Sequence, residues 1–160
     1  MPEETIRDIF LDIRAILREI LDELSFGTKV GMDINDLVYE RNASTLTNPV
    51  PAGAKKYELL AWNAPETTRR VFLLYGIGSD QHDNSYYYWI FDDTDIPQIS
   101  GAARVGSIFE PLIFPQPIKI RKNIKLQVDN NNNVPYPNDS GSHPSDIVPY
   151  EGMFFGRWSR

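Results

Sequence analysis

The chain has 160 residues, 41% of them hydrophobic and 24% charged, the balance of a globular domain carrying an appendage. It contains no cysteine, which excludes disulfides, thiolate metal sites and cysteine nucleophiles. A net charge of −6 and a pI near 4.9 argue against sequence-independent nucleic-acid binding.

Residues 3–24 read as one amphipathic helix about 33 Å long. Ile6, Ile9, Ile13, Ile16 and Ile20 recur at alternating steps of three and four, the spacing of a coiled-coil seam. Phe10, Leu17 and Leu24 widen the stripe on one flank. Pro2, Glu3 and Glu4 suit the first turn, and Gly27 suits the C-terminal cap. Isoleucine at both seam positions favours trimers or tetramers over dimers. The stripe therefore serves an oligomeric coil, or else docks on the chain's own sheet. The acidic PEE start and the lack of a long charge-free apolar run predict neither a secretory signal nor a membrane span.

Residues 28–56 lack a firm period; a short helical turn at Asp33 to Leu37 and then a short strand are expected, before NASTLTNPVPAGAKK, and the whole segment reads as an extended arm or linker. A β body is expected over 57–160, with the helix confined to 1–27. Tyr57 to Trp62 and Arg70 to Tyr75 read as two strands around the turn Asn63-Ala64-Pro65-Glu66. Tyr86 to Phe91 (YYYWIF) is a third. Weaker strands are expected at Gln98 to Ser100 and Arg104 to Phe109. Leu112 to Phe114, Ile118 to Arg121 and Ile124 to Val128 follow, with Asn123 turning the last pair. Asp129 to Asn133 (DNNNN) reads as a loop, and Met153 to Trp158 as the closing strand. Eight or so short strands with frequent turn signals imply a mainly β fold, a β-sandwich of jelly-roll type behind the N-terminal helix.

No stretch carries a catalytic signature. Asp80, His82 and Asp83 lie close together but match no metal-ligand spacing, and a solvated loop is the preferred reading. Asp92, Asp93 and Asp95 lack the oxygen count and glycine of a calcium loop, so a charged turn is preferred. A hydrolase using Asp92, Asp93 or His82 is the weakest alternative. No cofactor is implied.

Surfaces offer more. Neighbouring rings in a strand alternate between faces, so either Tyr87 and Trp89 or Tyr86 and Tyr88 point outward. Outward rings, here Tyr87, Trp89 or Trp158, stack on sugars or anchor a protein interface; burial of both faces is the competing reading. Lys119, Arg121, Lys122 and Lys125 form a basic cluster, read first as a solvated strand face or an edge protected from aggregation by lysines, and otherwise as a salt-bridging partner surface using Lys119 and Arg121.

The run FPQPIKIRKNIKLQVDNNN, Phe114 to Asn132, resembles a recurring segment of viral β-sandwich proteins, where a proline-introduced strand, a basic turn and a second strand form one hairpin. With the helical appendage and aromatic body, the chain resembles accessory virion proteins of tailed bacteriophages, of the capsid decoration (cement) or head-fibre type. The resemblance implies a non-enzymatic protein of the virion, assembled in the host cytoplasm as a homotrimer that bridges major capsid protein subunits. It carries over no functional residue, cofactor, nucleic acid or membrane.

Overall fold

The computed structural model of the chain describes residues 36–68, 70–80, 82–101, 106–139 and 147–159. The expected helix, with Ile6, Ile9, Phe10, Ile13, Ile16, Leu17, Ile20 and Leu24, lies outside the described residues, as does His143. Asn35–Arg160 form one compact unit.

Eight strands are described: β1 (Leu37–Ala43), β2 (Tyr57–Asn63), β3 (Phe72–Ser79), β4 (Ser85–Phe91), β5 (Thr94–Asp95), β6 (Leu112–Ile120), β7 (Asn123–Asn130) and β8 (Glu151–Trp158). They form two antiparallel four-stranded sheets, ordered β1-β8-β3-β6 and β2-β7-β4-β5. The pairing is nested, first strand with last: β1 with β8, β2 with β7, β3 with β6, β4 with β5.

Nesting overturns two local expectations. β2 and β3 flank a turn but lie in different sheets, so they are not a hairpin. The turn residues dictate that the chain reverses, and the apolar faces dictate where it lands. Leu60 and Trp62 must align with Leu126 and Ile124 of β7, and Trp62 then packs across the interior on Phe72 of β3 at 4.8 Å. Likewise β6 and β7, the strands of the FPQPIKIRKNIKLQVDNNN run, do not pair. Only Arg121 and Lys122 separate them, and this corner carries the chain from one sheet to the other. The Asp92 carboxylate fixes it by accepting the backbone N–H groups of Arg121 (2.9 Å), Lys122 (2.6 Å) and Asn123 (3.4 Å).

The boundary between arm and body also moves. Residues 37–43 are not linker but β1, paired in unbroken register with β8. Val50 is fully buried and exchanges backbone bonds with Tyr136 (2.9 and 3.1 Å). Leu112 to Phe114 and Ile118 to Ile120 belong to one strand, β6, whose ladder breaks between Ile113 and Ile118 around Pro115 and Pro117, which supply no donor. Gln98 and Ile99 lie in a turn, and of the strand expected over Arg104 to Phe109 the first two residues lie outside the described residues and 106–109 form no strand; β5 takes the edge instead.

The core lies between the sheets. Phe72, Leu74, Ile77, Ile120 and Phe154 come from one, and Leu60, Trp89, Ile124, Leu126 and Val128 from the other. The β7 alternation holds as read: Ile124, Leu126 and Val128 are fully buried, while Lys125 and Gln127 are half-buried on the outer face.

Candidate binding surfaces

β4 fixes which rings face out. Trp89 opposes Leu126 and Tyr87 opposes Val128, both on the buried face of β7. Trp89 is accordingly 1% exposed and Tyr87 4%. The expectation that Tyr87 and Trp89 form a ligand surface is therefore corrected: they are core. Trp158 is half-buried, against Phe72 (5.5 Å) and Trp62 (5.7 Å), and caps the core rather than presenting a free ring.

The outward rings are Tyr86, 36% exposed, and Tyr88, half-buried, with centroids 4.6 Å apart at 42°. The Tyr88 hydroxyl donates to Asp129 Oδ2 (3.0 Å), and Lys56 Nζ sits 5.3 Å from the ring centroid. Burial, then the Asp129 bond, pushes the Tyr88 phenol up, so the hydroxyl stays a donor. Tyr88 shares a row with Gln127 and Glu58, and Ile90 shares the next with Lys125, Ala61 and Asp95. The surface is a ring pair set among amides and charges of both signs.

The other sheet presents a different face. Tyr39, Phe155, Gly76 and Ile113 form one row across β1, β8, β3 and β6. Leu37, Arg157, Leu73 and Lys119 form the next. The Phe155 ring lies over Gly76, where an added Cβ would meet it at 2.6 Å, so glycine is required by close approach. Tyr39, 57% exposed, Leu37 and Ile113 leave this face apolar at its margins. The signal for Tyr39 was the alternation within LVYERNA, masked by the linker composition that follows it.

The basic cluster is divided. Lys119 is exposed on the β6 edge, Lys125 belongs to the opposite sheet, and Arg121 and Lys122 occupy the corner between them. The corner also absorbs the acidic knot. The Asn123 amide, ahead of Lys122, holds the Asp93 carboxyl below its usual range. Asp92 and Asp93 have positive φ values of 50° and 65°, which Asp tolerates better than most residues.

His82 is not in a solvated loop. Its ring packs at a tilt against both Tyr136 (4.4 Å) and Tyr150 (4.3 Å), and Nε2 donates to the Pro149 carbonyl (3.2 Å). The backbone N–H of His82 donates to the Tyr87 hydroxyl (3.2 Å), and Ser85 Oγ and Tyr150 Oη share a 2.6 Å bond. Burial pushes the imidazole pKa down, against the backbone carbonyls of Pro149 and Val148 and the charge of Asp83. The cluster clamps 147–150 and Tyr136 to the body. Among the described residues no three His, Asp or Glu side chains converge as a metal site, and no helix is long and apolar enough to cross a membrane.

No protein-family model matches the chain, and no curated protein matches it either.

Proposed function

We propose that the chain is a non-enzymatic structural protein of a bacteriophage virion, a capsid decoration or head-fibre protein that oligomerises, as a homotrimer, and binds the major capsid protein. Its body is read as a jelly roll led by a coiled-coil-like helix over 1–27, and its place is the virion. The observation that carries this reading is the strand order. Eight strands folded in half, first on last, and divided as β1-β8-β3-β6 and β2-β7-β4-β5 match the eight-stranded double-sheet layout used by capsid domains. The stripe Ile6, Ile9, Ile13, Ile16 and Ile20 supplies the assembly element. The test is co-sedimentation of the full chain with shells of the major capsid protein encoded beside its gene. Saturable binding supports the reading; failure to bind, or no capsid gene nearby, refutes it.

A second reading, a carbohydrate- or receptor-binding module, is favoured by one observation: Tyr86 and Tyr88 present rings outward beside Lys56, Gln127 and Lys125. Glycan-array binding by the full chain, lost in Tyr86→Ala while the variant still melts cooperatively, would favour this second role.

A further inference from the structure

We propose that the open edge of β1 is a self-association site, where β1 of a second copy adds antiparallel to join two sheets into one. The described sheets have four edges, and three are obstructed. β6 carries Pro115 and Pro117 and a broken ladder. β2 is bulged at Leu59, whose carbonyl is taken by the Asn42 side-chain amide (2.6 Å). β5 is two residues long. β1 alone is seven residues long, proline-free and in unbroken register with its neighbour. Of the ordinary devices against edge pairing, β1 has no proline, no bulge and no shortness; it has only the charges of Glu40 and Arg41, which bear on the register of pairing.

Its free backbone groups can be assigned. The Ser44 N–H donates to the Tyr150 carbonyl at 2.8 Å, in register with the Ala43–Glu151 pair that follows. Antiparallel pairs alternate between bonded and non-bonded. Asn42, Glu40 and Val38 therefore bond β8, and Leu37, Tyr39, Arg41 and Ala43 aim their N–H and C=O groups at the open side. No backbone bond outside the ladders involves 37–43 among the described residues.

The side chains select a second copy and its register. Only residues on the same face oppose each other across a two-fold axis normal to the sheet. Centring the pair on Glu40 sets two carboxylates face to face, and centring it on Arg41 sets two guanidinium groups together; like charges directly opposite destabilise. Centring it on Asn42 avoids a like pair but sets Tyr39 against Thr45, beyond the strand; centring it on Tyr39 opposes Tyr39 to the partner's Tyr39, Val38 to the partner's Glu40 and Leu37 to the partner's Arg41, with no like pair and all five positions inside β1. It also extends the Tyr39–Phe155 row continuously into the second molecule.

Because the chain has no cysteine, one introduced thiol reports the register. In the full chain, Tyr39→Cys places two thiols on a bonded pair with Cα atoms about 5.5 Å apart, within disulfide reach. Arg41→Cys faces the partner's Leu37, leaving the two thiols four residues, about 14 Å, out of step. Mild oxidation should convert most of Tyr39→Cys, and little of Arg41→Cys, to a disulfide dimer on a non-reducing gel. Tyr39→Pro removes only an outward N–H and should lower the light-scattering mass with little change in melting temperature. Glu40→Pro, which breaks a β8 bond, should lower the melting temperature. Equal cross-linking at both positions, no cross-linking at either, or an unchanged mass for Tyr39→Pro overturns the proposal. The Tyr39→Cys cross-link should persist in Ile13→Asp, which separates this contact from assembly through the isoleucine stripe.

Discussion

Asn130 is the most informative single position. It sits in the run DNNNN, yet its side chain is fully buried at the end of β7. Its amide nitrogen donates to the carbonyls of Pro51 (3.0 Å) and Val134 (3.0 Å), with a longer approach to Val50 (3.3 Å). Its oxygen accepts the Asn132 backbone N–H and side-chain amide, both at 3.0 Å. One side chain thus ties the 50–54 segment and the 131–134 loop to the sheet. Asn130→Ala orphans these groups at about 1–3 kcal/mol each where water cannot reach. The Pro51 and Val134 residues are exposed and recover part of that by solvation, so about 3–4 kcal/mol is expected in all. At about 3–5 °C per kcal/mol for a body of this size, the melting temperature should fall by about 10–15 °C. Asn130→Asp separates bonding from packing: it keeps the shape but turns two donors into acceptors facing carbonyls. At neutral pH it should be at least as damaging as alanine. Burial raises the new carboxyl's pKa in the fold, so the penalty should shrink as pH falls toward about 4 and the acid protonates. Urea melts of both variants across pH test this. A fall of less than 2 °C or so for Asn130→Ala, or an Asp variant milder than Ala at pH 7, would refute the reasoning.

The other predictions are shorter. His82 has a folded pKa below its ordinary 6.5, so its contribution is full above pH 6.5 and is lost as pH falls through the lowered folded value; His82→Phe should flatten that part of a pH–stability curve measured by chemical denaturation. Trp89→Ala empties a core position and should cost about 3–5 kcal/mol, while Tyr86→Ala, which loses the ring contact with Tyr88, should cost only about 0.5–1.5 kcal/mol, both read by urea midpoint at constant m-value. Asp92→Ala removes the acceptor for the N–H groups of the 121–123 corner and should cost about 1–2 kcal/mol; Asp92→Asn, which keeps one acceptor and tolerates positive φ, should lose less than half of that, by thermal melting.

The strands of the body were legible wherever rings and β-branched residues alternate, as in YELLAW, YYYWIF and NIKLQV. Their partners were not. Turn chemistry is local, so Asn63-Ala64-Pro65-Glu66 and the Lys122-Asn123 step read as hairpin turns, whereas a chain folded in half sends nearly every connection across to the other sheet. That choice is made by matching apolar faces far apart in sequence. The orientation of β4 was undecidable for the same reason: YYYWIF is aromatic on both faces, and only the opposition of Trp89 to Leu126 turns it. Composition misled twice in the polar stretches. LVYERNA was legible as a short strand, but the proline- and glycine-rich run after it assigned it to the arm and hid its pairing with β8. DNNNN looked solvated because asparagine suits turns, although a buried asparagine with all its bonds made is equally good physical chemistry.

These particulars have a common consequence for function. His82 and Asp92, which suggested chemistry, and other polar side chains beside them are engaged by the chain's own groups. Asp92 holds a corner, Asp129 accepts the Lys56 N–H and the Tyr88 hydroxyl, His82 is packed against two rings and bonded to Pro149, and Ser85 is bonded to Tyr150. A group whose lone pairs or protons already serve the fold must break those bonds before it can serve a ligand, at about 1–3 kcal/mol for each one left unsatisfied. The groups turned outward with few such ties are of another kind: Tyr39, Leu37 and Ile113 at the margins of one sheet, Tyr86 on the other, and Lys119 at an edge. Rings, aliphatic carbons and a flexible cation gain free energy by being covered, not by moving protons. Among the described residues, the distribution of spent and unspent groups agrees with the proposed role by contact and leaves two chemically different faces. One is apolar at its margins and ends in the β1 edge, where a second copy is proposed to pair. The other carries rings among amides and charges, the mixture suited to a polar partner surface.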